Sequence, residues 1–258
     1  MLVTSARLDH PGSYDGGVTP PTEPLAASAL VAPVSTWADD GVRDRTRRTR
    51  RRLLLAAAGL FEEAGYHGAS VADILAAAGL TKGALYFHFR SKYALAEALI
   101  TEVQQSWTAV AAQITARGLD PVWRLLVETD AYVARWMYDS LVRGASQALD
   151  DPELLTLRGP WFERWETGTA DLLTEASAAG LLAAEVDARR AARAIVSIAT
   201  GNYALADGPD DLWARMTESW EGLLPILTCP DWRSTWAESA WHARPAPDAE
   251  AYRVAREP

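Results

Sequence analysis

Two helix-start signals stand 11 residues apart with one glycine between them, and they leave residues 70–89 little conformational choice. Ser70-Val71-Ala72-Asp73 has the form of a capping box, a serine cap followed three residues later by an acid. Val71, Ile74, Leu75 and Ala78 then fall on one face of a short helix. Gly79 supplies a tight turn, Leu80 can tuck inward, and Thr81 can cap a second helix, Lys82-Gly83-Ala84-Leu85-Tyr86-Phe87-His88. Ala76, Ala77, Ala78 and Ala84 let the two helices approach closely. Short helices joined through such a turn are the geometry that sets the second helix into a DNA major groove. A small-residue helix pair inside any helical bundle would read in much the same way, so the motif by itself leaves both readings open.

The charge distribution bears on that choice. The chain is acidic, with a formal charge of −9 and a pI near 5.0. Residues 43–92 nevertheless carry ten Arg or Lys against four Asp or Glu, seven of the arginines lying between Arg43 and Arg52. A polyanion can therefore meet one compact basic segment while the acidic remainder faces water. A solvated arginine-rich helix face is the plain alternative.

Elsewhere the pattern is helical. Leu53, Ala57, Leu60, Phe61 and Ala64 form an apolar stripe that Gly65 stops. Further helices are expected near 92–116, 121–148, 161–179, 187–206 and 210–227, with Pro121 suited to a first helical position. Residues 1–42 are rich in proline, glycine, serine and alanine, lack any period and are expected to be disordered. The expected organisation is an extension over 1–42, a DNA-binding domain with a basic arm over 43–91, a helical bundle over 92–228, and a tail of uncertain order over 229–258. Pro230 is expected to end the bundle, although Trp232, Trp236 and Trp241 argue against a wholly disordered tail.

Several function classes find no support. No segment reaches the ~18 consecutive apolar residues of a membrane span, and no secretion signal opens the chain, so a soluble cytoplasmic protein is expected. One cysteine, Cys229, and four scattered histidines give no zinc-ligand spacing. There is no Walker-type phosphate loop and no His-Glu-x-x-His, and neither catalysis nor a cofactor is expected. A structural DNA-binding protein without an effector remains a competing class.

Gly65-Tyr66-His67-Gly68-Ala69-Ser70-Val71-Ala72-Asp73-Ile74, then Ala78-Gly79-Leu80-Thr81-Lys82-Gly83-Ala84-Leu85-Tyr86-Phe87-His88-Phe89 and Ser91-Lys92, resembles the TetR family of transcriptional repressors over about residues 48–95. The resemblance implies an all-α fold, with an N-terminal helix-turn-helix region and a C-terminal helical bundle for ligand binding and dimerisation. The run from Thr81 to Phe89 is especially similar to the gamma-butyrolactone receptors of actinomycetes, which control antibiotic production by leaving DNA when a small hormone binds. The implied partners are a palindromic double-stranded operator, a second copy of the chain, and a gamma-butyrolactone-like or furan-like effector. An antibiotic intermediate or efflux substrate is the alternative ligand.

The residues follow from both routes. Thr81, Lys82, Gly83 and Ala84 open the recognition helix: Lys82 can reach a base edge or a phosphate, and Ala84 a thymine methyl. Tyr86, His88 and Lys92 resemble residues that hold flanking phosphates in the family, with a packed ring and a helix-end role as the plain readings of Tyr86 and His88. Leu85, Phe87 and Phe89 read as core. Arg43, Arg45, Arg47 and Arg48 either track phosphates or enter a minor groove, and Arg51 and Arg52 can sit beside the DNA backbone. For the ligand, the resemblance points to Trp165 as a stacking ring and Thr200 as a partner for a polar head, with Gln147, Trp136 and Tyr203 as further pocket residues. A mid-helix threonine such as Thr200 can instead return its hydroxyl to the preceding turn. The helices at 187–206 and 210–227 are implied to pair with their symmetry mates.

Overall fold

The structure, a computed structural model, describes residues 42–247 and 249, with side chains from Arg45 onward; the expectations for residues 1–41 and for the Arg43 side chain lie outside it. The described chain is all helical, with no strand beyond an isolated bridge between Leu182 and Thr228. Its helices are α1 (Val42–Gly68), α2 (Val71–Ala78), α3 (Lys82–His88), α4 (Lys92–Thr115), α5 (Pro121–Tyr138), α6 (Ser140–Leu149), α7 (Leu155–Ala178), α8 (Ala188–Leu205), α9 (Pro209–Leu227) and α10 (Pro230–Ala237). Short 3-10 turns lie at Pro152–Leu154 and Ala240–Ala243.

Local chemistry sets the first boundaries. Gly65 breaks α1 at a φ of 70°. Ser70 caps α2, accepting from the Asp73 amide at 3.1 Å while donating to the Asp73 carboxylate at 2.6 Å. Gly79 ends α2 in the left-handed region, which a residue with a Cβ adopts only under strain. Thr81 then caps α3 and Ser91 caps α4.

Two expected helices differ. Residues 121–148 are two helices, because the extended Asp139 turns its carboxylate back to the Leu141 amide and starts α6 afresh. The helix expected from residue 161 begins at Leu155 and carries Pro160 inside it. Pro121 does occupy the first turn of α5, beneath an Asp120 cap.

The C-terminal expectation needs a larger correction. Pro230 does not end the bundle. It opens α10, where proline's missing amide hydrogen costs nothing. Trp232, Trp236 and Trp241 are buried with Trp123 and Trp220 in one core. Trp232 also donates its indole proton to Asp120 at 3.1 Å, tying α10 to the start of α5.

A second core runs without a break from α1, α2 and α3 into α4, α5, α6 and the start of α7. Its tightest point is Gly144 on α6, where a Cβ would overlap the backbone of Ala58 on α1. Arg143 clamps the same crossing through Glu62 at 2.7 Å.

Candidate nucleic-acid interface and ligand cavity

The opening turn of α3 is open to solvent. Thr81, Lys82 and Gly83 are exposed and Ala84 half-buried, while Leu85 and Phe89 anchor the helix in the core. Tyr86 is 48% exposed, and the Lys82 ammonium lies 5.9 Å from its ring centroid. Phe87 departs from its expected core position: it is 77% exposed, on the solvent face beside Tyr86. Leu85 and Phe89 are one helical turn apart and share a face, and Phe87 between them points away.

The basic residues divide into braces and a solvent-facing group. The Arg52 guanidinium donates to the Ala78 carbonyl at 2.6 Å and so braces the end of α2. Arg50 pairs with Glu102 of α4 at 3.0 Å. Arg45 and Arg48, both exposed, continue the Arg52 stripe toward the start of α1, with Arg47 and Arg51 half-buried beside it. Lys92, expected near a phosphate, gives its ammonium to the carbonyls of Tyr66 (2.8 Å) and Ala69 (3.1 Å), over the Tyr66 ring. It holds the end of α1 to the start of α4. His88 is half-buried; burial first, then the Arg50 charge, lower its pKa in the DNA-free protein.

The bundle holds a cavity of about 260 Å³ between α4, α5 and α7, with Val142 of α6 in its wall, just below the ~300–1,000 Å³ usual for ligand sites. Its apolar wall is made of Val103, Leu125 and Val142 with the rings of Trp107, Tyr132, Trp161 and Trp165. Trp161 and Trp165 line it together, as residues four apart on one helix can. Trp165 stacks on Tyr132 at 4.3 Å. Trp136 sits behind this wall, edge-on to Trp165 and stacked at 4.3 Å on Tyr203, and its indole proton goes to Ser146.

Thr200, Gln147 and Tyr203 do not line this cavity. Thr200 returns its hydroxyl to the Val196 carbonyl at 2.8 Å, Gln147 faces solvent, and Tyr203 stops at Trp136. The polar groups on the wall come chiefly from α5. Glu128, Tyr132 and Arg135 stand at i, i+4 and i+7, a polar stripe on one side of a largely buried helix. That spacing is the sequence signal that would have found them. Burial drives the Glu128 carboxyl up to about pKa 7, with Arg124 opposing and Glu175 adding to the shift.

Residues 53–99 match the bacterial regulatory proteins of the tetR family. The full-length TetR regulator TylP from Streptomyces fradiae is 30% identical, with a TM-score of 0.62 over 80% of this chain and 97% of TylP. The chain belongs to the TetR family. Among curated relatives, the A-factor receptor protein of Streptomyces griseus is 30% identical over 189 residues, 72% of this chain and 66% of the receptor, just under two thirds of its length. CprB from Streptomyces coelicolor, solved in complex with its biological operator sequence, is 25% identical with a TM-score of 0.64 over 78% of this chain and 98% of CprB. Among the described residues of this TetR-family chain, no helix is long and apolar enough to cross a membrane.

Proposed function

We propose that this chain is a transcriptional repressor that binds a palindromic operator as a homodimer and leaves it when a small molecule enters the cavity between α4, α5 and α7. The observation that carries the reading is the pairing of two features through one core. The solvent-facing start of α3 and the ring-walled cavity both rest on the core that runs from α1 into α7. The similarity to the A-factor receptor supports a gamma-butyrolactone-like effector and a role in secondary metabolism. The protein would act in the cytoplasm, where its DNA is.

For contact with DNA, Lys82 and Tyr86 are assigned to the groove and flanking phosphates, and Arg45 and Arg48 to phosphates beyond α3. The dimer is assigned to α8 and α9. Leu205 and Ile226 are each 70% exposed there. Gly201 and Gly222 lie on the same helices, and beyond its own helix a Cβ at either would meet nothing among the described residues within 4 Å. A two-fold pairing of these faces would bury them and match a palindromic site.

The ligand must favour the DNA-incompetent arrangement, since equal affinity for both arrangements shifts nothing. The test is fluorescence anisotropy on an operator obtained by selection from random duplexes. Gamma-butyrolactones and alkylated furan carboxylic acids are then titrated into the complex. Salt-sensitive, sequence-selective binding with ligand-driven release is the expected result. Sequence-selective binding that no member of a broad ligand set reverses would replace the repressor reading with a regulator lacking an effector. Binding without sequence preference would favour a structural DNA-binding protein.

A further inference from the structure

The cavity wall holds two hydrogen-bond donors that the protein does not use. Arg135 directs Nε and Nη2 to one oxygen of Asp139, at 3.2 and 3.0 Å, and its side chain is 4% exposed. Its Nη1 is buried and has no partner among the described residues. The Tyr132 hydroxyl, one turn earlier on α5, is buried too: the Trp161 indole can donate to its oxygen, but its own proton has no acceptor among the described residues. Trp107 joins the two, edge-on to Tyr132 at 5.0 Å and with its ring centroid 6.0 Å from the Arg135 guanidinium carbon. All three residues line the cavity. A buried donor has given up water, and leaving it without an acceptor is unfavourable.

We propose that Arg135 Nη1 and Tyr132 Oη form a two-donor clamp for a carbonyl oxygen of an uncharged, otherwise apolar molecule. The proposal rests on the reading of this cavity as the effector site, and it moves recognition of the polar head from α8, where Thr200 is bonded to its own helix, to α5. An acceptor is required because a guanidinium can only donate. Burial raises the Tyr132 pKa, so the phenol keeps its proton and can donate as well. An uncharged head fits because the Arg135 charge is already met by Asp139. The other ionisable groups on the wall are Glu128 and the exposed Arg164, which offset each other when Glu128 is ionised. The stacked Trp165 ring limits how far Tyr132 can move, which lowers the ordering cost of binding.

The test uses the full chain and three probes that share a hexyl tail. These are gamma-decalactone, 2-hexyltetrahydrofuran, which lacks the carbonyl, and 4-hydroxydecanoate, the ring-opened anion. Binding is read from cavity tryptophan fluorescence, and operator release from anisotropy. The lactone should bind roughly tenfold or more tightly than the ether, the fold-change expected of hydrogen bonds to a neutral and a charged donor together. The anion should bind more weakly than the lactone. Tyr132→Phe removes one hydroxyl, and Arg135→Lys keeps a charge opposite Asp139 while losing Nη1. Each should reduce the lactone-over-ether preference severalfold and leave ether affinity within about twofold. Should Arg135→Lys fail to fold, Tyr132→Phe decides alone. The clamp is overturned if the lactone does not bind at millimolar concentration, if wild type shows no preference, if folded variants keep the full preference, or if the anion binds best. A preference that the variants lose, without operator release by the lactone, upholds the clamp and removes the effector reading. Release that both variants retain in full does the reverse.

Discussion

Arg244→Met is expected to destabilise the protein more than any surface substitution, because it breaks the bond that holds the C-terminal segment to the centre of α5. Arg244 and Asp130 have side chains 3% and 5% exposed and meet through two hydrogen bonds, Nε to Oδ2 at 2.6 Å and Nη2 to Oδ1 at 3.1 Å. Nη2 also reaches the Thr217 hydroxyl, Nη1 the Trp241 carbonyl, and the guanidinium lies 3.6 Å from the Trp241 ring centroid and 4.5 Å from that of Trp213. Every side of the charge is therefore occupied by protein. Removing one partner of such a pair leaves the other charge buried without compensation, a loss of ~3–5 kcal/mol. At ~2–4 °C per kcal/mol for a chain of this size, Tm should fall by roughly 6–20 °C. Asp130→Leu should cost about as much. The double variant, which removes both charges and keeps apolar volume, should recover most of the loss. Urea unfolding followed by circular dichroism, at one protomer concentration because a dimer's stability depends on it, measures all four proteins. An Arg244→Met loss below ~1 kcal/mol would refute the reasoning, as would a double variant whose loss equals the sum of the singles.

Lys82→Ala and Tyr86→Ala should each weaken operator binding by ~1–3 kcal/mol while leaving helical content and dimerisation unchanged, measured by anisotropy and sedimentation. Phe87→Ala should alter stability by no more than ~0.5 kcal/mol, since a ring 77% exposed contributes little to the core; a thermal melt checks this. Gly144→Ala should destabilise by ~1–3 kcal/mol, because the new methyl forces α6 away from the Ala58 backbone; chemical unfolding reads it. Glu128 has a folded pKa of about 7 against 4.5 for the free side chain, so the folded state holds a proton that the unfolded state has released. Its contribution is fully present below pH 4.5 and lost as pH rises through 7, by up to ~3 kcal/mol. Wild type should therefore lose stability relative to Glu128→Gln between pH 5 and 8; parallel pH profiles would contradict the shift.

The DNA-binding half was legible because its signals are local. Ser70, Gly79 and Thr81 act through bonds to residues three or four positions away, and the structure forms those bonds. Phe87 was misread because an alternation of Leu85, Phe87 and Phe89 suggests a single apolar face, whereas a helix turns ~100° per residue and places the middle ring outside. Lys92 and Arg52 also brace helix ends, a role the sequence did not announce. Their partners, the carbonyls of Tyr66, Ala69 and Ala78, lie 23–26 residues away at helix ends, and nothing near Lys92 or Arg52 announces them. The C-terminal segment turned on one residue with two meanings, since proline both stops a helix and starts one. Its resolution depended on Asp120 and Asp130, more than a hundred residues away.

The cavity was the least legible part, and α5 shows why. Nearly every residue from Pro121 to Met137 is buried, so apolar periodicity cannot mark one face of this helix as lining a cavity. The informative residues are the polar ones that burial should have excluded. Thr129 satisfies itself on the Leu125 carbonyl, and Asp130 is answered by Arg244. Tyr132 and Arg135 retain a donor that no described residue answers. Within a helix enclosed on all sides, the polar groups that pair internally hold the bundle together, and those that do not are the ones a ligand can read. This division places Arg244 and Asp130 with stability and Tyr132 and Arg135 with recognition, although Asp130 and Tyr132 are two residues apart. The proposed clamp and the C-terminal pin therefore act on opposite faces of one helix. A ligand that draws Tyr132 and Arg135 toward its carbonyl would load α5 against the Arg244 pin and, through Asp139, against α6. That helix meets α1 at the Gly144 crossing, where the backbones have no side-chain layer between them to absorb a shift.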